Sequence, residues 1–261
     1  MRSLRNASVI IAAAVGLLAS TPTNAERLVS SLSTHRVLVT SNFVGQEIVL
    51  FGTVEREPAP RSRRGDYDVV VTVVGPRETV VTWRKEQIVG LWVNVDSRTF
   101  VKVPSYLVVL ATKPIKDIAG PDEARRLQLG IENTLLPQQI GVDVADVVRD
   151  DPFRRAFLRL KSERGLYREM ANGVTFLTST LFRATIPLPA DAPIGTYNVD
   201  VKLIAEGAMI ARSTSALEVV KAGFEQFVVT AANEHPMSYG LATAAMALMT
   251  GWFASIVFRR D

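Results

Sequence analysis

Asp68 to Val74 reads DVVVTVV, and five of its seven residues are valine. β-branched side chains favour the pleated backbone, and a run without polar alternation marks a strand covered on both faces. We therefore expect a central strand here, ended by Gly75 and Pro76. Upstream, HRVLVTSN from His35 and QEIVLFGTV from Gln46 to Val54 read as strands. Gly45 and Gly52 stand at turn or bulge positions. Arg56 to Gly65 reads as a Pro- and Arg-rich hairpin loop, and Arg61, Arg63 and Arg64 as its solvated face. Downstream come ETVVTWR from Glu78 to Arg84 and GLWVNVD from Gly90 to Asp96. Thr99 to Val103 and Tyr106 to Thr112 follow. Short strands with turn signals every 8–12 residues point to an antiparallel sandwich over residues 26–119. No helix regularly follows a strand and no Gly-x-Gly-x-x-Gly loop occurs, so a Rossmann-type nucleotide domain is excluded.

The period changes over residues 120–172, read as a helical insertion. Pro121, Asp122 and Glu123 open one helix, whose Ala124, Leu127, Ile131 and Leu135 share a face. Asp151 and Pro152 open a second, in which Phe153, Phe157, Leu160 and Arg164 share a face and Arg154, Arg155, Arg159 and Lys161 cover much of the rest. That helix is expected to break at Gly165 and to resume for a turn over Tyr167 to Asn172.

Residues 173–230 return to β patterning. Phe182, Ala184 and Ile186 alternate, as do Tyr197, Val199, Val201 and Leu203 after the turn at Pro193 and Gly195. A tyrosine beside such a turn is common in immunoglobulin-like sandwiches, where it pins the adjacent loop. The fold class expected is mainly β: immunoglobulin-like antiparallel sandwiches with a helical insertion and one C-terminal transmembrane helix. Either both β regions share one layered structure, or the second is a small domain completed by a strand from elsewhere.

The two ends set the topology. Arg2 and Arg5, the apolar run Val9 to Ala19 and the small residues Thr23, Asn24 and Ala25 make residues 1–25 a secretory signal peptide. Tyr239 to Phe258, YGLATAAMALMTGWFASIVF, is uncharged and long enough to cross a bilayer as a helix of roughly 30 Å. Residues 231–238 form a juxtamembrane linker and residues 259–261 a tail. Arg259 and Arg260 on the cytoplasmic side obey the positive-inside rule. The expected location is a bacterial inner membrane, single-pass, with the ectodomain in the periplasm.

The chain carries 30 Lys and Arg against 26 Asp and Glu, and two of the former lie in the signal peptide. A near-neutral exported region gives no electrostatic case for nucleic acid. There is no cysteine, so disulfides, thiolate metal sites and thiol redox chemistry are excluded.

Three stretches carry a resemblance: GLWVNVDSRTFVKVPSYLVVLATKPI from Gly90, DPFRRAFLRLKSERGLY from Asp151, and GVTFLTSTLFRATIPLPADAPIGTYNVDVKL from Gly173. They resemble an uncharacterised family of alphaproteobacterial transmembrane proteins, across nearly the whole mature chain. The resemblance implies signal-bearing proteins with one C-terminal span, encoded near exporters of sulfite or organosulfonates. It brings no catalytic residues with it.

Reaction chemistry finds little support in the residues. His35 and His235, the only histidines, lie far apart in sequence with no second histidine at ligand spacing. No Gly-x-Ser-x-Gly elbow occurs, and Lys161 and Ser162 point about 100° apart on a helix. Asp143 to Asp151 lacks EF-hand spacing. No cofactor is expected.

The candidates are interaction residues. Trp83, Trp92 and Asn94 form the candidate face, within the Gly90 to Asn94 neighbourhood. On the span, Thr243, Ala247, Gly251 and Ser255 make a small-residue stripe suited to close helix packing. The expected function is a non-enzymatic, membrane-anchored periplasmic ectodomain that assists a transporter or envelope complex. Its expected partners are the membrane and a multispanning protein or a second copy. The alternative is a tethered periplasmic enzyme or small-molecule-binding module.

Overall fold

The computed structural model describes residues 26–55, 67–140, 143–146, 151–221, 223 and 231–257. The expected signal peptide, the Arg56 to Gly65 loop and the C-terminal tail lie outside the described residues.

Fourteen strands form three sheets among the described residues. The strands are β1 (Arg27–Leu32), β2 (Arg36–Val39), β3 (Gly45–Glu55), β4 (Asp68–Val74), β5 (Arg77–Ile88), β6 (Leu91–Pro104) and β7 (Leu107–Ala111). After them come β8 (Pro137–Ile140), β9 (Asp143–Asp146), β10 (Tyr167–Ala171), β11 (Val174–Phe176), β12 (Leu181–Pro189), β13 (Gly195–Ala205) and β14 (Ala208–Lys221). One sheet has the order β10-β7-β4-β13-β14-β2, another β1-β3-β12-β11, and a smaller one β5-β6-β8-β9.

The valine run is β4, and it is central as expected, between β7 and β13. Val69, Val70, Val71 and Val73 are fully buried. Both large sheets contribute to one core: Val71, Val199, Val201 and Leu217 from the first meet Ile48, Leu50, Phe182 and Ile186 from the second. The alternations read in β12 and β13 point inward as expected. Strands from before and after residues 120–172 are neighbours in both sheets: β3 pairs with β12, and β4 with β13.

Several details differ from the sequence reading. The sheets are not wholly antiparallel, because β2 runs parallel to β14 and β10 parallel to β7. Gly52 is neither turn nor bulge. It lies inside β3, and a Cβ there would stand 2.2 Å from the Phe182 ring, so glycine makes room for that ring. The insertion contains less helix than expected. Helix α1 spans Ile115–Ile118, and α2 spans Pro121–Arg126 and stops well before Leu135. Gln128 and Gly130 take positive φ of 52° and 84°, which a helix cannot accommodate. The apolar spacing there serves packing of an irregular segment, since Leu129 is fully buried without helical backbone. Tyr167 to Ala171 is strand β10, not a helical turn.

Helix α3 (Pro152–Glu163) begins where expected. Asp151 is its cap, accepting from the Arg154 backbone N–H at 2.8 Å. Helix α4 (Pro236–Val257) has no buried residue, and among the described residues it is the one helix long and apolar enough to cross a membrane.

Candidate interaction surface

The candidate surface begins where β4 leaves its sheet. Val74 pairs with Leu107, and Arg77 pairs with Pro104. Between them Gly75 N–H donates to the Tyr106 carbonyl at 2.8 Å, and Ser105 N–H to the Pro76 carbonyl at 2.9 Å. One antiparallel ladder therefore runs from β4–β7 into β5–β6 and ends with Ile88 opposite Leu91. Two register shifts interrupt it, between Glu78 and Val80 and between Arg84 and Lys85. From Gly75 to Ile88 the ribbon extends on the order of 40 Å.

Its direction follows from pairing. β4 and β14 are each antiparallel to β13, so both run the same way. Val74 and Val219 reach the same end of the sheet, opposite Asn198 and Gly195. We call this the exit end, because β14 there releases the chain toward α4. The ribbon leaves the sheet at the exit end too.

Two buried tyrosines, Tyr106 and Tyr167, tie down its root, and the Tyr197 ring packs edge-on against Tyr106. Tyr106 Oη donates to the Pro187 carbonyl. Tyr167 Oη donates to the Pro104 carbonyl and Tyr197 Oη to the Pro193 carbonyl, both at 2.6 Å. Burial, helped by nearby acidic or phenolic groups, holds all three phenols above their ordinary pKa, so they remain protonated donors. Tyr106 thereby joins the ribbon to β12 of the facing sheet, and Tyr167 joins it to β10.

Helix α3 braces the next section. Phe157 stacks on Phe100 at 4.5 Å between centroids, and the Arg98 guanidinium lies 5.0 Å from the Phe153 ring. Lys161 Nζ pairs with Glu78 and donates to the Ser105 carbonyl. Lys161, adjacent to Ser162 in sequence, is thus a structural brace. Buried Arg154 extends the support, donating to the Glu132 and Thr134 carbonyls.

Past Thr82 and Ser97 the cover ends. Trp83 is 56% exposed, Trp92 69% and Val89 97%, and Ile88, Leu91 and Val93 are also exposed. On β5, Trp83, Lys85 and Gln87 alternate onto one face. Trp92 and Asn94 of β6 oppose Gln87 and Lys85, so the three candidate residues share that face. Sequence reasoning read this stretch as two separate short strands and missed that they are one hairpin. The available signal was Gly90: a two-residue turn with positive φ at both positions favours glycine second. Val89 and Gly90 have φ of 51° and 82°.

The span's stripe is placed differently. Thr243, Ala247, Gly251 and Ser255 lie along α4, and an added Cβ at Gly251 would meet nothing within 4 Å. Thr243 Oγ1 donates to the Tyr239 and Gly240 carbonyls, and Thr250 Oγ1 to Met246, so these hydroxyls are satisfied within the helix.

A second feature is a cleft of about 660 Å³ on the outer face of β4, β13 and β14, lined by Thr72, Asp200, Lys202, Arg212, Arg77 and Arg126. Asp200 Oδ2 lies 2.6 Å from Lys202 Nζ, and Arg212 donates to both Asp200 oxygens at 2.6 and 3.2 Å. Burial alone would raise the Asp200 pKa. The hydrogen bonds and charges of Arg212 and Lys202 outweigh it and hold the carboxyl below its usual range. Thr72 Oγ1 is buried without a partner. Among the described residues, no three His, Cys, Asp or Glu side chains converge as a metal site would need.

Comparison with known proteins now adds the family. The profile described as “Putative transmembrane protein (Alph_Pro_TM)” matches residues 27–260. The chain belongs to this family. No curated protein matches it. Among solved structures it is similar to the N-terminal domain of the Streptococcus gordonii adhesin Sgo0707, at 9% identity and a TM-score of 0.26. That likeness covers 74% of the Alph_Pro_TM chain and 32% of the adhesin chain, and at that score it does not define the fold.

Proposed function

We propose that this Alph_Pro_TM protein is a non-enzymatic ectodomain, anchored in the bacterial inner membrane by α4, that assembles with a membrane complex through exposed aromatic and apolar surface. The observation that carries this reading is the uncovered distal half of the β5–β6 ribbon. Exposed apolar patches rimmed by polar residues mark contacts with proteins or membranes. The ectodomain faces the periplasm and the tail the cytoplasm. We read the body as an immunoglobulin-like sandwich. Support comes from the strand order β1-β3-β12-β11 facing β2-β14-β13-β4-β7, and from Tyr197 at the start of β13 donating to the chain four residues upstream.

The partner is a multispanning membrane protein or a second copy. An exporter of sulfur-containing anions is the candidate that the resemblance implies. The α4 stripe is its intramembrane contact, where small side chains permit close backbone approach. Purification from native membranes in mild detergent tests this: a multispanning protein should co-purify, and Gly251→Leu should weaken the complex while insertion is retained. Recovery of the protein alone, with no dimer, contradicts the reading. A periplasm-active reporter between Ala222 and Thr230 should be active, and one after Asp261 silent.

The cleft beside Asp200 favours a second reading, a tethered module for a small anion. Its cations outnumber its acids and Thr72 offers a free hydroxyl. Calorimetric titration with sulfite, sulfate and simple sulfonates separates the two; saturable binding lost in Arg212→Ala would favour this module.

A further inference from the structure

The distal ribbon is graded by polarity along its length. Ile88, Val89, Gly90 and Leu91 form the tip, Trp92 follows, and Lys85, Glu86 and Asn94 come next, with Arg84 and Asp96 behind them. Arg84 pairs with Glu86 at 3.1 Å. From tip to Arg84 and Asp96 the order is apolar, aromatic, then charged, and Trp83 follows on the root side. A membrane boundary has the same order with decreasing depth: acyl chains, the interfacial zone where tryptophan collects, then headgroups and water.

The turn itself departs from what its backbone favours. Both central residues need positive φ, and asparagine or aspartate before glycine meets that need. Valine is β-branched and strained there. Val89 is nonetheless the most exposed apolar residue of the ribbon, at 97%. A local rule broken without a packing gain among the described residues marks a position chosen for an outside contact.

Placement agrees with that contact. The ribbon leaves from the exit end in the direction of β14, and the chain beyond β14 continues to α4. Residues 222–230 lead from Lys221 to a helical turn over 231–234 just before Pro236, and the whole segment reaches at most about 40 Å, comparable with the ribbon. A protein partner suits the Trp83, Lys85 and Asn94 face behind the tip and is a poorer fit for the tip itself. A two-strand ribbon end offers little area beside the 1,200–2,000 Å² typical of a stable interface. Insertion among lipids needs no complementary surface.

We propose that residues 88–93, at the tip of the ribbon, sit in the interfacial layer of the bilayer that α4 spans. This rests on the reading of α4 as a span. The ectodomain is then held at two points, the helix and the ribbon tip, which fixes its tilt on the membrane.

The absence of cysteine makes the test clean. Full-length Val89→Cys, Ala247→Cys and Ser179→Cys are each labelled with an environment-sensitive nitrobenzoxadiazole dye. Each is reconstituted into phosphatidylcholine–phosphatidylglycerol vesicles, with and without doxyl-labelled phosphatidylcholine. Position 247 reports the span. Position 179, on the exposed turn before β12 at the opposite end of the sheets, reports water. The label at 89 should emit blue-shifted, lose most of its emission to doxyl lipid and resist aqueous iodide. The label at 179 should do none of these. Leu91→Cys repeats the reading without altering the turn.

Quenching at 247 together with full iodide access at 89 and 91 overturns the proposal and leaves the span standing. A blue shift at 89 without lipid quenching overturns it in favour of a protein cover. No lipid quenching at 247 overturns the span reading and this proposal with it.

Discussion

The two halves of the β4–β7 and β5–β6 ribbon share a ladder and a taste for apolar residues, yet live in opposite surroundings. DVVVTVV in β4 is covered by both the core beneath it and the segment around α1 and α2 above it. IVGLWVNV at the far end stays exposed among the described residues. The difference lies in the third layer and not in the strands. Tyr106, Tyr167 and α3 escort the ribbon as far as Arg98 and then stop. A hydrophobic strand reports that it wants cover; only the neighbouring elements reveal whether the chain itself supplies it.

The sharpest way to break this contrast is to truncate one large side chain in each half. Phe157→Ala removes the ring stacked on Phe100 and should cost about 3–5 kcal/mol. Leu91→Ala, at the uncovered tip, should stay within about 0.5 kcal/mol. Urea unfolding of the full chain in mild detergent measures both. Similar losses in the two variants would show that the tip is covered after all.

The tyrosine anchors come next in size. Tyr167→Phe leaves the buried Pro104 carbonyl without its donor and should cost about 1–3 kcal/mol in the same assay. Trp83→Phe, on the exposed face, should leave unfolding unchanged.

A smaller, pH-dependent effect belongs to the cleft. The Asp200 carboxyl has a lowered pKa in the folded protein. Its contribution to stability is therefore complete above the ordinary carboxylate range, and is lost as pH falls through the folded value. Asp200→Asn should be less stable than wild type at neutral pH, and the gap should close on acidification. A gap independent of pH would remove the carboxylate charge as its cause.

The smallest change is expected at the turn. Val89→Asn relieves positive-φ strain and should stabilise the hairpin by at most about 1 kcal/mol. If the tip meets lipid, the same variant should lose membrane contact while gaining fold stability. Opposite signs from one substitution would separate what the turn needs from what its surface does.

Much of the framework was legible because it depends on local pattern. The valine run declared a central strand, Tyr197 beside Pro193 and Gly195 declared its corner, and Asp151 with Pro152 declared the start of α3. The apolar C-terminal helix was equally plain. What escaped depends on long-range pairing. Nothing near Arg77 reveals that its ladder continues that of β4, because the joining bonds involve Tyr106 and Ser105 some thirty residues later. Ala124, Leu127, Ile131 and Leu135 have helical spacing, but Gln128 and Gly130 turn the backbone: Ala124 packs from α2, Leu127 and Ile131 pack beyond its end, and Leu135 is left half exposed. Trp83, Trp92 and Asn94 were legible as surface candidates. Their shared face follows only from the register across Val89 and Gly90.

The central claim is that the ribbon continues past the exit end of the sheet, on the side where the chain departs for α4. Spin labels at Val89→Cys, Lys221→Cys and Ser179→Cys, taken in pairs on the full-length protein in nanodiscs, test it by double electron–electron resonance. The account predicts that position 89 lies farther from 179 than from 221, with a narrow 89–179 distribution set by the brace of α3. A ribbon folded back along the sheets, with 89 nearer to 179 than to 221, would contradict it.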